Sequence, residues 1–190
     1  MSEQVELTKR EAILRSAFII FTEKGYHAAK VSDVAELAKV GKGTVYEYFS
    51  SKEDLLRGVI EEGIKYYMKE LTESIKDPIL PWEKIKKMIR RHAEILRENQ
   101  NISQLIFHNF GIVTEEFHQF LISQRQVFIE MLKDLIQEGI TSGELKPMRT
   151  EVAARMILGS MVSIQFETGC LDEASVEEMI KTLANGMMKI

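Results

Sequence analysis

The most restrictive feature of the sequence is a run of three apolar-periodic segments, at about 8–24, 31–38 and 42–48, with joints of only three to six residues. In the first, Ile13, Leu14, Ala17, Phe18, Ile20 and Phe21 recur at helical spacing behind Thr8-x-x-Glu11. That opening is a capping box, in which Thr accepts from the N3 amide and Glu reaches back. Gly25 follows Lys24 as a helix-ending glycine. Val31, Val34, Ala35, Leu37 and Ala38 make a second helix of about two turns, and Lys39-Val40-Gly41 joins it to the third. Two short helices with such a turn form a helix-turn-helix unit, whose second member enters the major groove of DNA.

The third segment invites a rival reading. Thr44-Val45-Tyr46-Glu47-Tyr48-Phe49 is β-branched and aromatic, which suits a strand. A half-buried strand would put Val45, Glu47 and Phe49 on one face, and the carboxylate spoils it. A helix instead groups Val45, Tyr48 and Phe49 at i, i+3, i+4 and leaves Lys42, Thr44, Tyr46 and Glu47 outward.

Helical punctuation continues to the end. Ser50-x-x-Glu53 opens a helix over 51–76, with Leu56, Ile60, Ile64, Tyr67, Leu71 and Ile75 inward and Asp77-Pro78 as its stop. Pro81 suits the first position of a helix to about Glu98, and a short piece then reaches Phe110. Thr114 caps a helix that ends at Gly143, Thr150 caps 151–168, and Asp172 or Ser175 starts the last, to about Met188. The chain therefore reads as all-α, about nine helices: an N-terminal three-helix helix-turn-helix domain over 1–50 (motif 30–49) and a larger helical domain over 51–190.

Charge does not announce a nucleic-acid partner. The 25 Lys and Arg against 29 Asp and Glu give −4. Residues 1–58 hold nine of each sign, so the remainder carries the whole excess, and any DNA must be met by a local patch. The lone Cys170 excludes an intramolecular disulfide. No apolar run nears the ~20 residues that span a bilayer, and "MSEQVELTKRE" lacks the apolar stretch of a signal peptide. These features indicate a cytoplasmic protein with no membrane partner.

Catalytic and metal readings find little support. "GKGT" is not a nucleotide-binding loop, because the pattern needs Gly at 36 and Ser or Thr at 43, where Glu36 and Gly43 stand. His27, His92, His108 and His118 form no i, i+4 pair, and Cys170 has no partner at ligand spacing. No cofactor or metal and no enzymatic activity are expected. Lys86-Lys87 and Arg90-Arg91 read as a solvated face in preference to a second nucleic-acid site.

The stretch from Gly25 to Leu56, "GYHAAKVSDVAELAKVGKGTVYEYFSSKEDLL", resembles the DNA-binding segment of the tetracycline-repressor (TetR) family of bacterial regulators. The resemblance lies in Gly25-Tyr26, Val34-Ala35, Val40, Lys42-Gly43-Thr44-Val45-Tyr46, Tyr48-Phe49 and Lys52-Glu53-Asp54-Leu55, and a family-type domain would span about 7–67. It implies DNA contacts from Lys42, Gly43, Thr44, Tyr46, Tyr48 and Lys52. Three positions depart from the pattern. Lys39 replaces the usual turn glycine, so either a left-handed conformation there carries strain or the turn differs locally. Lys30 replaces a capping Thr. Glu47 would repel phosphates unless it accepts from a cytosine amino group; it is a solvated charge or a base reader.

A reading unit of about 50 residues leaves some 140 for dimerisation and sensing. The helices over 151–168 and 174–188 carry wide apolar faces with small residues; two such helices per chain can pair with their copies as a four-helix bundle, the alternative being one larger intramolecular core. Met156, Gly159, Ser160, Ile180, Leu183 and Met187 are the candidate interface of a homodimer on a palindromic operator. Gln104, Phe107, His108, Phe110, Phe128, Met131 and Phe166 either line a pocket for a small lipophilic effector, such as an acyl derivative or a drug, or form plain core. The function these features suggest is a ligand-responsive repressor; the alternative is an all-α lipid-binding protein or enzyme unrelated to DNA.

Overall fold

The computed structural model describes residues 8–98, 115–166 and 172–189, without the side chains at 116 and 163–166. The described residues form eight helices: α1 (Lys9–Lys24), α2 (Val31–Leu37), α3 (Lys42–Tyr48), α4 (Lys52–Ser74), α5 (Pro81–Glu98), α6 (Glu115–Thr141), α7 (Thr150–Phe166) and α8 (Glu173–Met187). The short helix expected before Phe110 and the Thr114 cap lie outside the described residues.

Local chemistry sets most boundaries. The Thr8 hydroxyl accepts from the Glu11 amide at 3.2 Å while the Glu11 carboxylate accepts from the Thr8 amide at 2.8 Å. Gly25, at φ 73 and ψ 154, closes α1 in a region that only glycine enters freely. Asp172 caps α8 by accepting from the Ser175 amide at 2.8 Å. Two starts differ from the sequence reading by one residue. Thr150 is already helical, and α4 is capped by Ser51, whose hydroxyl accepts from the Asp54 amide at 3.0 Å. The Asp54 carboxylate reaches back to the Ser50 amide at 2.8 Å. Glu53 is taken elsewhere, by the Tyr26 hydroxyl at 3.0 Å. Leu80 offers no capping oxygen at the start of α5, and Glu144 supplies one from a distant loop, accepting from the Trp82 amide at 3.1 Å.

The described chain divides into two compact units: 8–65 with 115–117, and 66–98 with 118–166 and 172–189. In the first, α2 packs on α1 and α3 on α2, around Ile13, Leu14, Ala17, Phe21, Val34, Val45 and Phe49. Gly58 of α4 lets this trio close on the helix: a methyl group there would come within 2.9 Å of both Leu14 and the Phe49 ring. In the second, α5 packs on α7 and α8. Its core joins Leu71, Trp82, Ile85, Met88, Ile89, Phe128, Leu132, Ile136, Ile157, Met161, Val176 and Ile180. Each side chain of this size removed from water contributes about 1.5–3 kcal/mol.

One polar bridge crosses that core. His92 is buried, with Nδ1 2.8 Å from the Tyr67 hydroxyl and Nε2 2.8 Å from the Met161 carbonyl. A carbonyl only accepts, so Nε2 carries the proton and Nδ1 accepts from Tyr67. Burial pushes the imidazole down to about 4, from an ordinary 6.5. The folded pKa is thus below the unfolded one, and the neutral ring's contribution is fully present above pH 6.5 and lost as pH falls toward 4. Denaturant titrations between pH 7 and pH 4 should show a loss on the order of 3 kcal/mol that His92→Gln lacks.

Candidate nucleic-acid interface

The turn between α2 and α3 is built from backbone geometry. The Val40 amide donates to the Ala35 carbonyl at 3.0 Å and the Lys39 amide to Glu36 at 3.1 Å. This paired pattern is a Schellman motif, whose C′ residue takes a left-handed conformation and is usually glycine. Here it is Lys39, at φ 56. Lys30, at the N-cap of α2, makes no side-chain cap bond.

Two buried residues hold α3: Val45 is 1% exposed, and Phe49, where the chain turns extended, is 4% exposed. The Arg10 guanidinium lies 5.5 Å over the Phe49 ring. The outer face carries Lys42, Gly43, Tyr46 and Glu47, all exposed, with Thr44 half-buried. Lys42 Nζ stands 5.9 Å over the Tyr46 ring, one helical turn on. Tyr48, which the helical period groups with Val45 and Phe49, is instead 44% exposed, beside Tyr46 at 47%. Tyr48 is the last residue of the helix, and the extended residue after it, Phe49, is the one that is buried.

Lys52 has a second engagement that its spacing does not reveal. Its Nζ sits 4.5 Å over the Tyr26 ring and donates to the His27 carbonyl at 3.2 Å. With the Tyr26–Glu53 bond, this staples the start of α4 to the turn after α1. Burial, then the Glu53 bond, raises the Tyr26 phenol to about 12, so it stays a donor at neutral pH.

The basic run on α5 is occupied. Lys86 meets Glu83, Lys87 meets Asp77, Arg90 meets Glu177, and Arg91 meets Glu70, Glu94 and Glu98. These pairs satisfy the cations within the chain.

The remaining candidates scatter. Gln104, Phe107, His108 and Phe110 lie outside the described residues, as does the side chain of Phe166. Phe128 is buried in the core of the second unit, with Met131 packed against it. Ile180 and Met187 also belong to that core, with Leu183 packed partly buried on it. Met156, by contrast, is 62% exposed, Gly159 is exposed and Ser160 half-buried. Met156, Val152, Met148 and Leu183 line an almost wholly apolar groove of about 430 Å³ between α7 and α8. Val152, 46% exposed, was not singled out by its spacing. No helix among the described residues is long and apolar enough to cross a membrane.

Residues 13–59 match the model of the bacterial regulatory proteins of the tetR family, and residues 79–166 that of the tetracyclin repressor-like C-terminal domain. The chain is similar to the fatty acid metabolism regulator protein of Bacillus subtilis (strain 168), at 33% identity over 158 residues, covering 78% of this chain and 77% of that protein. The crystal structure of the transcriptional regulator FadR from Bacillus subtilis in complex with stearoyl-CoA superposes with a TM-score of 0.74 at 27% identity, covering 92% of this chain and 97% of that one. A transcriptional regulator of the TetR/AcrR family from Thermobifida fusca YX-ER1 gives 0.79 at 25% identity, covering 93% and 97%. With its helix-turn-helix, its all-α architecture and these matches over both units, the chain belongs to the tetR family of bacterial transcriptional regulators.

Proposed function

We propose that this chain is a cytoplasmic, non-enzymatic repressor. It binds a palindromic operator as a homodimer through Lys42, Gly43, Thr44, Tyr46, Tyr48 and Lys52. It is released when an acyl-CoA or a related lipophilic acyl ligand occupies the larger part of the chain. The reading part extends over about residues 1–50 and the sensing and dimerising part over 51–190.

The observation that carries the DNA reading is the division of labour on α3. Val45 and Phe49 are buried, while Lys42, Tyr46 and Tyr48 point their charge and hydroxyls to solvent. Cations and hydroxyls on such a helix give phosphate contacts for position and base-edge contacts for sequence. Exposed Met156 and Val152 on an apolar groove support the homodimer. The acyl ligand is supported by similarity to a fatty acid metabolism regulator and to a regulator crystallised with stearoyl-CoA.

Lys42→Ala is the clean test of the DNA face. Among the described residues the Lys42 side chain makes no hydrogen bond or ion pair and lies over the Tyr46 ring, whereas Lys52→Ala would also undo the staple to Tyr26 and His27. The variant should bind duplex DNA more weakly across all sequences alike, with the slope of log K against log salt reduced by about 0.9 per chain bound. An unchanged slope removes Lys42 from the interface.

A further inference from the structure

Lys39 occupies a backbone position that its own side chain disfavours. Its φ of 56 is left-handed, and an L side chain there crowds the following carbonyl, whereas glycine does not. The Schellman bonds to Ala35 and Glu36 need that conformation but make no use of the side chain. Among the described residues nothing compensates: the Lys39 ammonium is exposed, with no hydrogen bond, ion pair or ring contact. Five other cations of the first unit are engaged within the fold. Arg10 pairs with Glu62, Lys24 with Asp33, Arg57 with Asp54 and Lys65 with Glu62, and Lys52 is held by the His27 carbonyl. Because residues 1–58 are neutral overall, the cations left unpaired by carboxylate decide what the local field can attract. Lys39 is one of these. It sits in the turn that leads into α3, three residues before Lys42.

We propose that Lys39 is a DNA phosphate contact, and that the strain of a left-handed lysine is retained because its ammonium neutralises the backbone beside the reading helix. Strained residues that the fold does not need are concentrated where function uses them. The inference rests on the DNA-binding reading above and adds to it a residue where glycine would serve the fold better. It also makes stability and binding move in opposite directions, which a purely structural role cannot do.

The experiment compares wild type with Lys39→Gly, Lys39→Asn and Lys39→Arg on a duplex that wild type selects from a random-sequence pool. Gly and Asn both tolerate the left-handed region without charge. Lys39→Gly and Lys39→Asn should melt no lower than wild type. Both should bind the duplex more weakly, with the salt slope reduced by about 0.9 per chain bound. Lys39→Arg should restore the slope. Equal affinity and slope in wild type, Lys39→Gly and Lys39→Asn would overturn the inference while leaving the DNA reading intact. A wild type that selects no duplex would overturn the DNA reading, and this inference with it.

Discussion

Met156→Glu is expected to leave the chain folded, to make it monomeric and to weaken operator binding at least ~100-fold, equivalent to about 2.7 kcal/mol. The side chain is 62% exposed in the single chain, so the substitution disturbs little of its core. It stands on the apolar groove between α7 and α8. In a two-fold assembly the same patch meets itself, so one substitution places two carboxylates in a largely apolar seam. A monomer holds one reading helix and loses the high effective concentration that binds the second half-site. Light scattering, circular dichroism and a duplex titration read the three outcomes separately. A dimer that persists in Met156→Glu with unchanged operator affinity would place the interface elsewhere. Ile180 and Met187 would make poor probes, because both lie in the chain's own core and their substitution would unfold it.

How much of this was legible in the sequence follows from how local each signal is. The Thr8 capping box, Pro81 at the first turn of α5 and Gly143 at φ 79 after α6 are set by residues within a turn of each other, and spacing finds them; at the last helix it leaves Asp172 and Ser175 open, and Asp172 is the cap. The α4 cap is different. Ser50-x-x-Glu53 and Ser51-x-x-Asp54 both fit the pattern, and the choice is made by Tyr26, remote in sequence, which takes Glu53. Period also misplaces Tyr48, which is exposed although it lies three residues from buried Val45, because spacing names a face without saying how far the neighbouring elements cover it. The Arg90–Glu177 pair joins residues from separate helices, so the basic run on α5 shows its charge in the sequence but not its partner.

The candidate site divides in the same way. Exposed Lys42, Tyr46 and Tyr48 were legible because a short motif specifies them. The apolar faces of α7 and α8 were visible as faces, but a 3.6-residue period does not say what covers them. The fold assigns Ile180 and Met187 to the interior and leaves Met156 and Val152 outside. Phe128, proposed as pocket or core, is buried among Ile129, Leu132 and the α5 side chains of its own unit.

The second large effect concerns switching. The helix α4 runs without interruption from Lys52, at the reading unit, to Ser74, beyond the start of the second unit. A ligand that binds better to one setting of this helix shifts the population of operator-competent dimers, and only such differential affinity can do so. A ~100-fold loss of operator affinity requires about 2.7 kcal/mol of coupling, within the usual range for allosteric proteins.

Linkage makes that coupling measurable from either side. The most direct test titrates stearoyl-CoA into the wild-type chain, alone and saturated with its selected duplex, and titrates the duplex with and without stearoyl-CoA. Each should weaken the other by the same factor, on the order of 100. Stearoyl-CoA that does not bind, or that binds equally well with and without the duplex, would contradict it.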